Sequence, residues 1–400
     1  MEKFNFRAMS SAKKIKSAYS FRNKATLIKG GQQYFDTLKE LIKNARSFVQ
    51  IQVYIFEDDH TGNEIGNYLI QASKRNIKIQ LLLDGYASRN LSKEFIQTLR
   101  DAGIQIRFFA PIFKSKHYYF GRRLHHKVIV VDGIKALVGG INISDRYNDM
   151  PNNPSWLDYA VLIEGDTAFE LHKLCLQLYF KKRKIETWLE KHNDHYLFDE
   201  NEHTAVRIRR NDWVTKKNQI SGTYMEMFRN AQREITMMSS YFIPNIFFRN
   251  QMSAALKRGV QIKLILAGKS DVHLAKNAER YFYRWALRNN IQIFEYLPTV
   301  LHSKVAICDN RIVTIGSYNI NDISAFASIE LNVDIEEKEF AQSVKKEIEK
   351  IIGSQTIEIK NDHIKNKYGL LDQFTQWTSY VLFRFIFKIF TFYFSKRETN

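Results

Sequence analysis

Two histidines, each followed two residues later by lysine, head the same pattern at two places in the chain. The first set is His125, Lys127, Asp132, Gly139, Gly140 and Asn142; the second is His302, Lys304, Asp309, Gly316, Ser317 and Asn319. A lone His-x-Lys arises by chance, but six matched positions at identical spacing, twice in one chain, do not. These side chains suit displacement at a phosphodiester. One histidine attacks phosphorus, a second acts as acid and then base, and fixed cationic donors stabilise charge on the equatorial oxygens. Each set supplies one such histidine, so the site is expected between two halves of the chain. No acidic cluster accompanies either set, and this chemistry calls for no metal and no cofactor.

The spacing also predicts how the residues are held. Histidine and lysine at i and i+2 on a strand share a face. Asp132-Gly133 and Asp309-Asn310 are two-residue turn signals between apolar runs, so each set reads as a tight hairpin. With those turns, residue 131 pairs with 134, Gly140 stands opposite His125 and Ser317 opposite His302, leaving room for a ligand. Asn142 and Asn319 return to the histidine end as donors. Asp132 and Asp309 belong to the candidate catalytic set through the motif, although turn chemistry alone accounts for an aspartate there.

The elements around these hairpins repeat as well, at a period near 180 residues, far too long for a solenoid. NARSFVQIQVYIF (44–56) corresponds to NAQREITMMSSYFIP (230–244), and ASKRNIKIQLLLDG (72–85) to ALKRGVQIKLILAG (255–268). LHHKVIVVDGIKALVGGIN (124–142) matches LHSKVAICDNRIVTIGSYN (301–319), and DYAVLIEG (158–165) matches ELNVDIEE (330–337). Each half reads strand, helix, strand, hairpin, strand, which predicts an α/β fold with a mixed sheet. The expected divisions are a basic segment over 1–25, lobes over 26–165 and 204–345, a helix and polar linker over 166–203, and C-terminal helices over 346–400. His192, His195 and His203 lie in that linker among acidic residues, but their spacing fits no zinc template.

Composition narrows the partner. The 400 residues carry 60 lysines and arginines against 42 aspartates and glutamates, a formal charge of +18 that points to a polyanion. At 44% hydrophobic the chain has ample core, which excludes wholesale disorder. Cys175 and Cys308, the two cysteines, make no disulfide framework and suit a reducing compartment. The N-terminal stretch interleaves Lys13, Lys14, Lys16, Arg22 and Lys24 with aromatics and lacks the apolar core of a secretory leader. Near the other end, WTSYVLFRFIFKIFTFYF (377–394) is almost wholly apolar but has Arg384 and Lys388 at its middle, unsuited to a simple span. On a helix, Tyr380, Arg384, Lys388, Thr391 and Ser395 share one stripe. The segment therefore reads as an in-plane membrane helix, with packing on the protein's own core as the competing reading. It favours an anionic membrane over nucleic acid as partner.

The paired motifs resemble those of the phospholipase D superfamily, and the wider sequence is similar to bacterial cardiolipin synthases over roughly residues 26–340. Tyr-Ile-Phe (54–56), Tyr-Phe-Ile-Pro (241–244), Lys-Arg-Gly-Val (257–260) and GGINISDRY (139–147) carry the resemblance beyond the motifs. It implies two pseudo-symmetric phospholipase D-like lobes with the active site between them, and a phosphohistidine intermediate. It also implies a downstream carboxylate in each half that hydrogen-bonds the catalytic histidine; the matching residues are Asp158 and Glu330. They lie 16 and 11 residues beyond Asn142 and Asn319 respectively, so the match is looser at Asp158. His126 replaces a commoner arginine and alternates away from His125, which suggests packing. Lys114, Lys116, Arg122 and Arg123, interleaved with aromatics just before the first histidine, suggest a phosphate funnel as readily as a solvated loop. The implied activity is phosphatidyl transfer between two phosphatidylglycerol molecules on the cytoplasmic face of the cell membrane, with a phospholipase D-type or nuclease-like phosphodiesterase using water as acceptor as the alternative. The sequence leaves the oligomeric state open.

Overall fold

The computed structural model describes residues 19–111, 122–181, 203–321, 328–362 and 369–395; Lys13, Lys14, Lys16, Lys114, Lys116, His192 and His195 lie outside the described residues. The first lobe contains β1 (Asn23–Lys29), α1 (Gln32–Lys43), β2 (Phe48–Val53), α2 (His60–Lys74), β3 (Lys78–Asp84), α3 (Lys93–Asp101) and β4 (Gln105–Phe109). It continues through β5 (Arg123–Leu124), β6 (Lys127–Val131), β7 (Lys135–Gly139), β8 (Tyr159–Gly165) and α4 (Asp166–Phe180). The second lobe contains β9 (Ala205–Asp212), β10 (Lys217–Asn218), α5 (Gln219–Asn230), β11 (Glu234–Ser239), α6 (Ile246–Lys257), β12 (Gln261–Lys269), α7 (His273–Arg280) and α8 (Tyr283–Arg288). Next come β13 (Gln292–Val300), β14 (Lys304–Cys308), β15 (Ile312–Gly316), β16 (Ser328–Glu336), α9 (Lys338–Gln355) and β17 (Thr356–Ile359), and then α10 (Leu370–Ser395). Because β17 pairs with β13, the second lobe extends past residue 345 to Ile359.

Both sheets are mixed and share one strand order. The first runs β1-β8-β7-β6-β2-β3-β4, and the second repeats it as β9-β16-β15-β14-β11-β12-β13 with β10 and β17 added at its edges. The central strands β6 (KVIVV) and β14 (KVAIC) are buried along their whole length, which is why they are continuous apolar runs rather than alternating ones. Val128 and Val130 join Val305 and Ile307 in a single core between the lobes, whereas Ile129 and Val131 face the helices of the first lobe. The helix opening the inter-lobe connection is part of that core. Ala168, Leu171 and Cys175 of α4 are buried in it, and the Gln52 side chain donates to the Cys175 carbonyl at 2.9 Å.

The hairpins correct the expected register by one residue. Asp132 and Gly133 both have positive φ, and the Ile134 amide closes the turn onto the Val131 carbonyl, as two-residue turns require. However, the Ile134 carbonyl accepts from Gly165 of the third strand, and Val131 pairs with Lys135 instead. Ile134 is thus a bulge residue. Arg311 repeats the arrangement: its carbonyl accepts from Glu337, and Cys308 pairs with Ile312. Gly140 and Ser317 therefore do not face the histidines across the ladder, and the space beside them is not a ligand pocket. A Cβ at Gly140 would collide with the Asp158 carboxylate, and the Ser317 hydroxyl donates to Glu330. Small residues at these positions make room for the carboxylates.

Candidate active site

The site lies where the two lobes meet. Just before each histidine, the chain pairs in parallel with the segment just before the carboxylate of the other lobe. Leu124 pairs with Ile329, and Leu301 with Leu157. The His125 amide donates to the Ile329 carbonyl at 3.0 Å, and the His302 amide to the Leu157 carbonyl at 2.8 Å. The carboxylates are thereby exchanged between lobes. His125 Nδ1 lies 2.8 Å from Glu330 Oε2, and His302 Nδ1 lies 2.7 Å from Asp158 Oδ2. The unequal spacing to Asp158 and Glu330 is absorbed before the carboxylate, in a single 3-10 turn (Asp145–Tyr147) and the loop after it.

Both motif lysines are buried at this junction, Lys127 with 2% and Lys304 with 1% of its surface exposed. The Lys127 ammonium donates to the His125 carbonyl at 2.9 Å and sits 5.0 Å from the Tyr54 ring centroid. The Lys304 ammonium donates to the His302 carbonyl and lies 2.8 Å from His302 Nδ1. Burial pushes Lys127 down to about 7 and Lys304 to about 8, against the pull of both carboxylates. Burial likewise lifts Asp158 to about 7 and, together with both lysines, holds His302 well below the usual histidine range. His125 is lowered by burial, partly offset by Glu330.

Other candidates are placed elsewhere. Asp132 sits at the far end of β6, where its carboxylate accepts the amides of Arg46, Ser47 and Phe48 at 2.7–3.0 Å. Asp309 accepts those of Gln232, Arg233 and Glu234 at 2.8–2.9 Å. Both tie the hairpin to the preceding strand, and neither reaches the histidines. Asn142 is at the site but holds structure: Oδ1 accepts the Ile55 amide at 3.1 Å and Nδ2 donates to the Tyr147 hydroxyl at 2.8 Å. Asn319 accepts from the Ser240 hydroxyl at 2.6 Å. His126 packs in the core against Gln52, with burial pushing it down to about 3. Arg122 pairs with Asp212 and Arg123 with Asp84, so these two cations of the basic loop are already occupied. Among the described residues no group of three histidine, cysteine or carboxylate side chains is arranged to hold a metal.

Three residues around the site were not singled out by sequence. Tyr147 reaches His302 with its hydroxyl 3.5 Å from Nε2, and Trp156 tilts against the same ring at 5.9 Å between centroids. Neither belongs to the repeated pattern, so the repeat gives no signal for them. Asp84, fully buried at the end of β3, accepts the Leu124 amide at 2.8 Å and fixes the segment before His125. By strand register its counterpart is Ala267, so comparison of the halves hides it.

The match to known proteins agrees with this architecture. The family model described as cardiolipin synthase, PLD-like domain, matches twice, over residues 38–167 and 224–352. Cardiolipin synthase B of Escherichia coli (strain K12) is 29% identical over 343 residues, 85% of this chain and 83% of that protein. A cardiolipin synthase of Halalkalibacterium halodurans is 27% identical over 315 residues, 78% of this chain and 63% of that protein. Among solved structures, phosphatidylserine synthase of Haemophilus influenzae Rd KW20 superposes with a TM-score of 0.70 at 14% identity, covering 93% of this chain and 95% of that one, a likeness of fold. Two matched halves, one strand order and a single site with exchanged histidine–carboxylate pairs lead to one conclusion: the chain belongs to the phospholipase D superfamily, in its cardiolipin synthase family of PLD-like domains.

Proposed function

We propose that the protein transfers a phosphatidyl group from one phosphatidylglycerol to the hydroxyl of a second, giving cardiolipin and glycerol, with His125 as nucleophile and His302 as acid and base. The observation carrying this reading is the inequality of the two histidines. His125 Nδ1 faces two acceptors, Glu330 Oε2 at 2.8 Å and the Ser317 carbonyl at 3.1 Å. It must carry the proton, which leaves Nε2 with a free lone pair aimed at phosphorus. His302 Nδ1 instead lies between Asp158 and the Lys304 ammonium, a donor. Nδ1 accepts the Lys304 hydrogen bond, so Nε2 carries the proton given to the departing glycerol; Nδ1 takes up a proton from Lys304 as that one leaves and returns it in the second step. In the second step His302 Nε2 takes the proton of the incoming hydroxyl as its oxygen attacks phosphorus and the bond to His125 breaks. Lys127 and Lys304 supply the positive charge against the phosphate oxygens.

The test is lipid mass spectrometry after incubating the pure protein with phosphatidylglycerol vesicles in excess EDTA. Cardiolipin with equimolar glycerol is expected, because the two lysines provide the charge that a divalent ion would otherwise bring. Phosphatidic acid alone would make water the acceptor, and loss under EDTA restored by one metal would contradict this account.

The site also has a pH signature. Asp158 and Lys127 hold their protons below about 7 and Lys304 below about 8, so all three lose them as pH rises through that window. Above it the phosphate-binding charge and the proton that Lys304 lends to His302 disappear together. We expect kcat/KM for phosphatidylglycerol to fall by more than tenfold per pH unit above about pH 8, steeper than a single ionisation. A flat profile between pH 7 and 9 would remove this assignment of charge.

The same reading places the protein on an anionic membrane at the cytoplasmic face, held by α10. No helix among the described residues is long and apolar enough to cross a membrane. The support for docking is the exposed apolar side of α10: Leu371, Phe374, Trp377, Val381, Leu382 and Phe385.

A further inference from the structure

The two halves of the site are symmetric in their motifs but not in what surrounds them. Beside His125 stand the Tyr54 ring and the buried lysine over it. Beside His302 stand Tyr147 and Trp156 of the first lobe, and in its own lobe Tyr241 lies two residues past Ser239, the strand partner of Lys304, with its hydroxyl on Asp271. Tyr241 follows Ser240, whose hydroxyl bonds the motif residue Asn319, so its backbone is fixed to the motif. Its hydroxyl donates to Asp271 Oδ1, and among the described residues Asp271 Oδ2 takes no hydrogen bond. The charge of Asp271 reaches His302, Lys304 and Tyr147, raising the proton affinity of each.

A carboxylate at this edge cannot be there for the phosphate, which it repels. It suits a ligand that donates hydrogen bonds or carries positive charge. Cations already stand at the histidines, Lys127 and Lys304. Another cation would be opposed by both. A neutral polyol meets no such opposition, and its vicinal hydroxyls match a carboxylate already oriented by a tyrosine.

We infer that Asp271, oriented by Tyr241, forms the subsite for the alcohol on the His302 side, binding the free hydroxyls of the glycerol headgroup that departs and of the one that arrives. This rests on the transferase reading above and adds to it the residues that select a polyol acceptor over water or a simple alcohol. When glycerol leaves, His302 protonates one oxygen while Asp271 holds a neighbouring hydroxyl; when the acceptor enters, the same contact orients its nucleophilic oxygen.

The experiment is headgroup exchange: phosphatidylglycerol in detergent with isotopically labelled glycerol or 1-propanol, comparing the protein with Asp271→Asn and Tyr241→Phe. The unaltered protein should prefer glycerol. Asp271→Asn should reduce that preference about ten- to a hundredfold, through a higher KM for glycerol, and shift product toward phosphatidic acid. Tyr241→Phe should move both readouts in the same direction by less. Asp271 is exposed, so loss of folding is not expected to intervene. If the unaltered protein discriminates and Asp271→Asn discriminates equally, this assignment fails while the transferase reading stands. If the unaltered protein exchanges neither alcohol, both fail.

Discussion

Replacing either His125 or His302 with alanine should lower cardiolipin formation by about 10³-fold or more, the loss that follows when one member of a covalent-catalysis pair is removed. The two variants should then differ in what they accumulate. On the proposed assignment His302→Ala keeps the nucleophile, His125, whose Nδ1 faces Glu330 and the Ser317 carbonyl. With a phosphodiester whose leaving group needs no proton, such as a p-nitrophenyl ester, it should form a phosphorylated protein that turns over slowly. His125→Ala should form none. The reverse pattern would exchange the roles. Two displacements at phosphorus also retain configuration, so transfer from a chiral phosphorothioate should proceed with retention; inversion would exclude the covalent route altogether. The buried carboxylates make a related point. Asp158 and Glu330 come from the lobe opposite the histidine they touch, so neither lobe contains a complete site.

That exchange marks the boundary of what the sequence could convey. Strand, helix and hairpin order were legible because apolar runs and turn residues act locally, and they repeat in both halves. The residues His125, Lys127, His302 and Lys304 were legible because their spacing is fixed by one hairpin. Partners across the lobes were not, since Leu124 with Ile329 and Leu301 with Leu157 are pairings between segments that no local pattern connects. The register failed for a similar reason. Asp132 and Gly133 do form the turn, but the carbonyl of Ile134 is claimed by a third strand, and this shifts every later pair by one. The aspartates show the opposite case: a turn former next to a catalytic motif turned out to be a turn former, clamping three backbone amides in each lobe. For α10, helical periodicity identified a polar stripe but not what it faces. Gln376 and Ser379 are buried, and Tyr380 stacks on Tyr281 at 4.7 Å between centroids. Phe383 packs with Ile243, Ala278 and Phe282.

On the proposed reading the helix has two jobs on two sides, and substitutions can separate them. Deleting everything after Gln376 would strip Tyr380 and Phe383 from the α7 cluster and confuse docking with stability. Replacing Phe374, Trp377 and Phe385 with serine avoids this, because their exposures of 62, 47 and 58% leave little folded-state packing to lose. The triple variant should keep its melting temperature within a few degrees. If each ring contributes about 1 kcal/mol by entering the acyl boundary, below the value for full burial, the three together weaken binding to anionic vesicles by roughly 10²-fold. Turnover of detergent-dispersed phosphatidylglycerol should persist, since none of the three touches the site residues. Tyr380→Ala should behave in the opposite way. Losing the stacked ring over Tyr281 and the edge contact with Phe282 should cost about 2–4 kcal/mol of stability, within the range for aromatic truncation, while vesicle binding of the folded fraction is retained. Sedimentation with vesicles containing phosphatidylglycerol, set beside thermal denaturation, reads both quantities on each variant. If the triple variant binds as tightly as the original protein, α10 is a structural helix and docking must be sought on another surface. If instead it binds weakly and melts early, the exposed side is core for a partner chain, and the helix is an assembly surface.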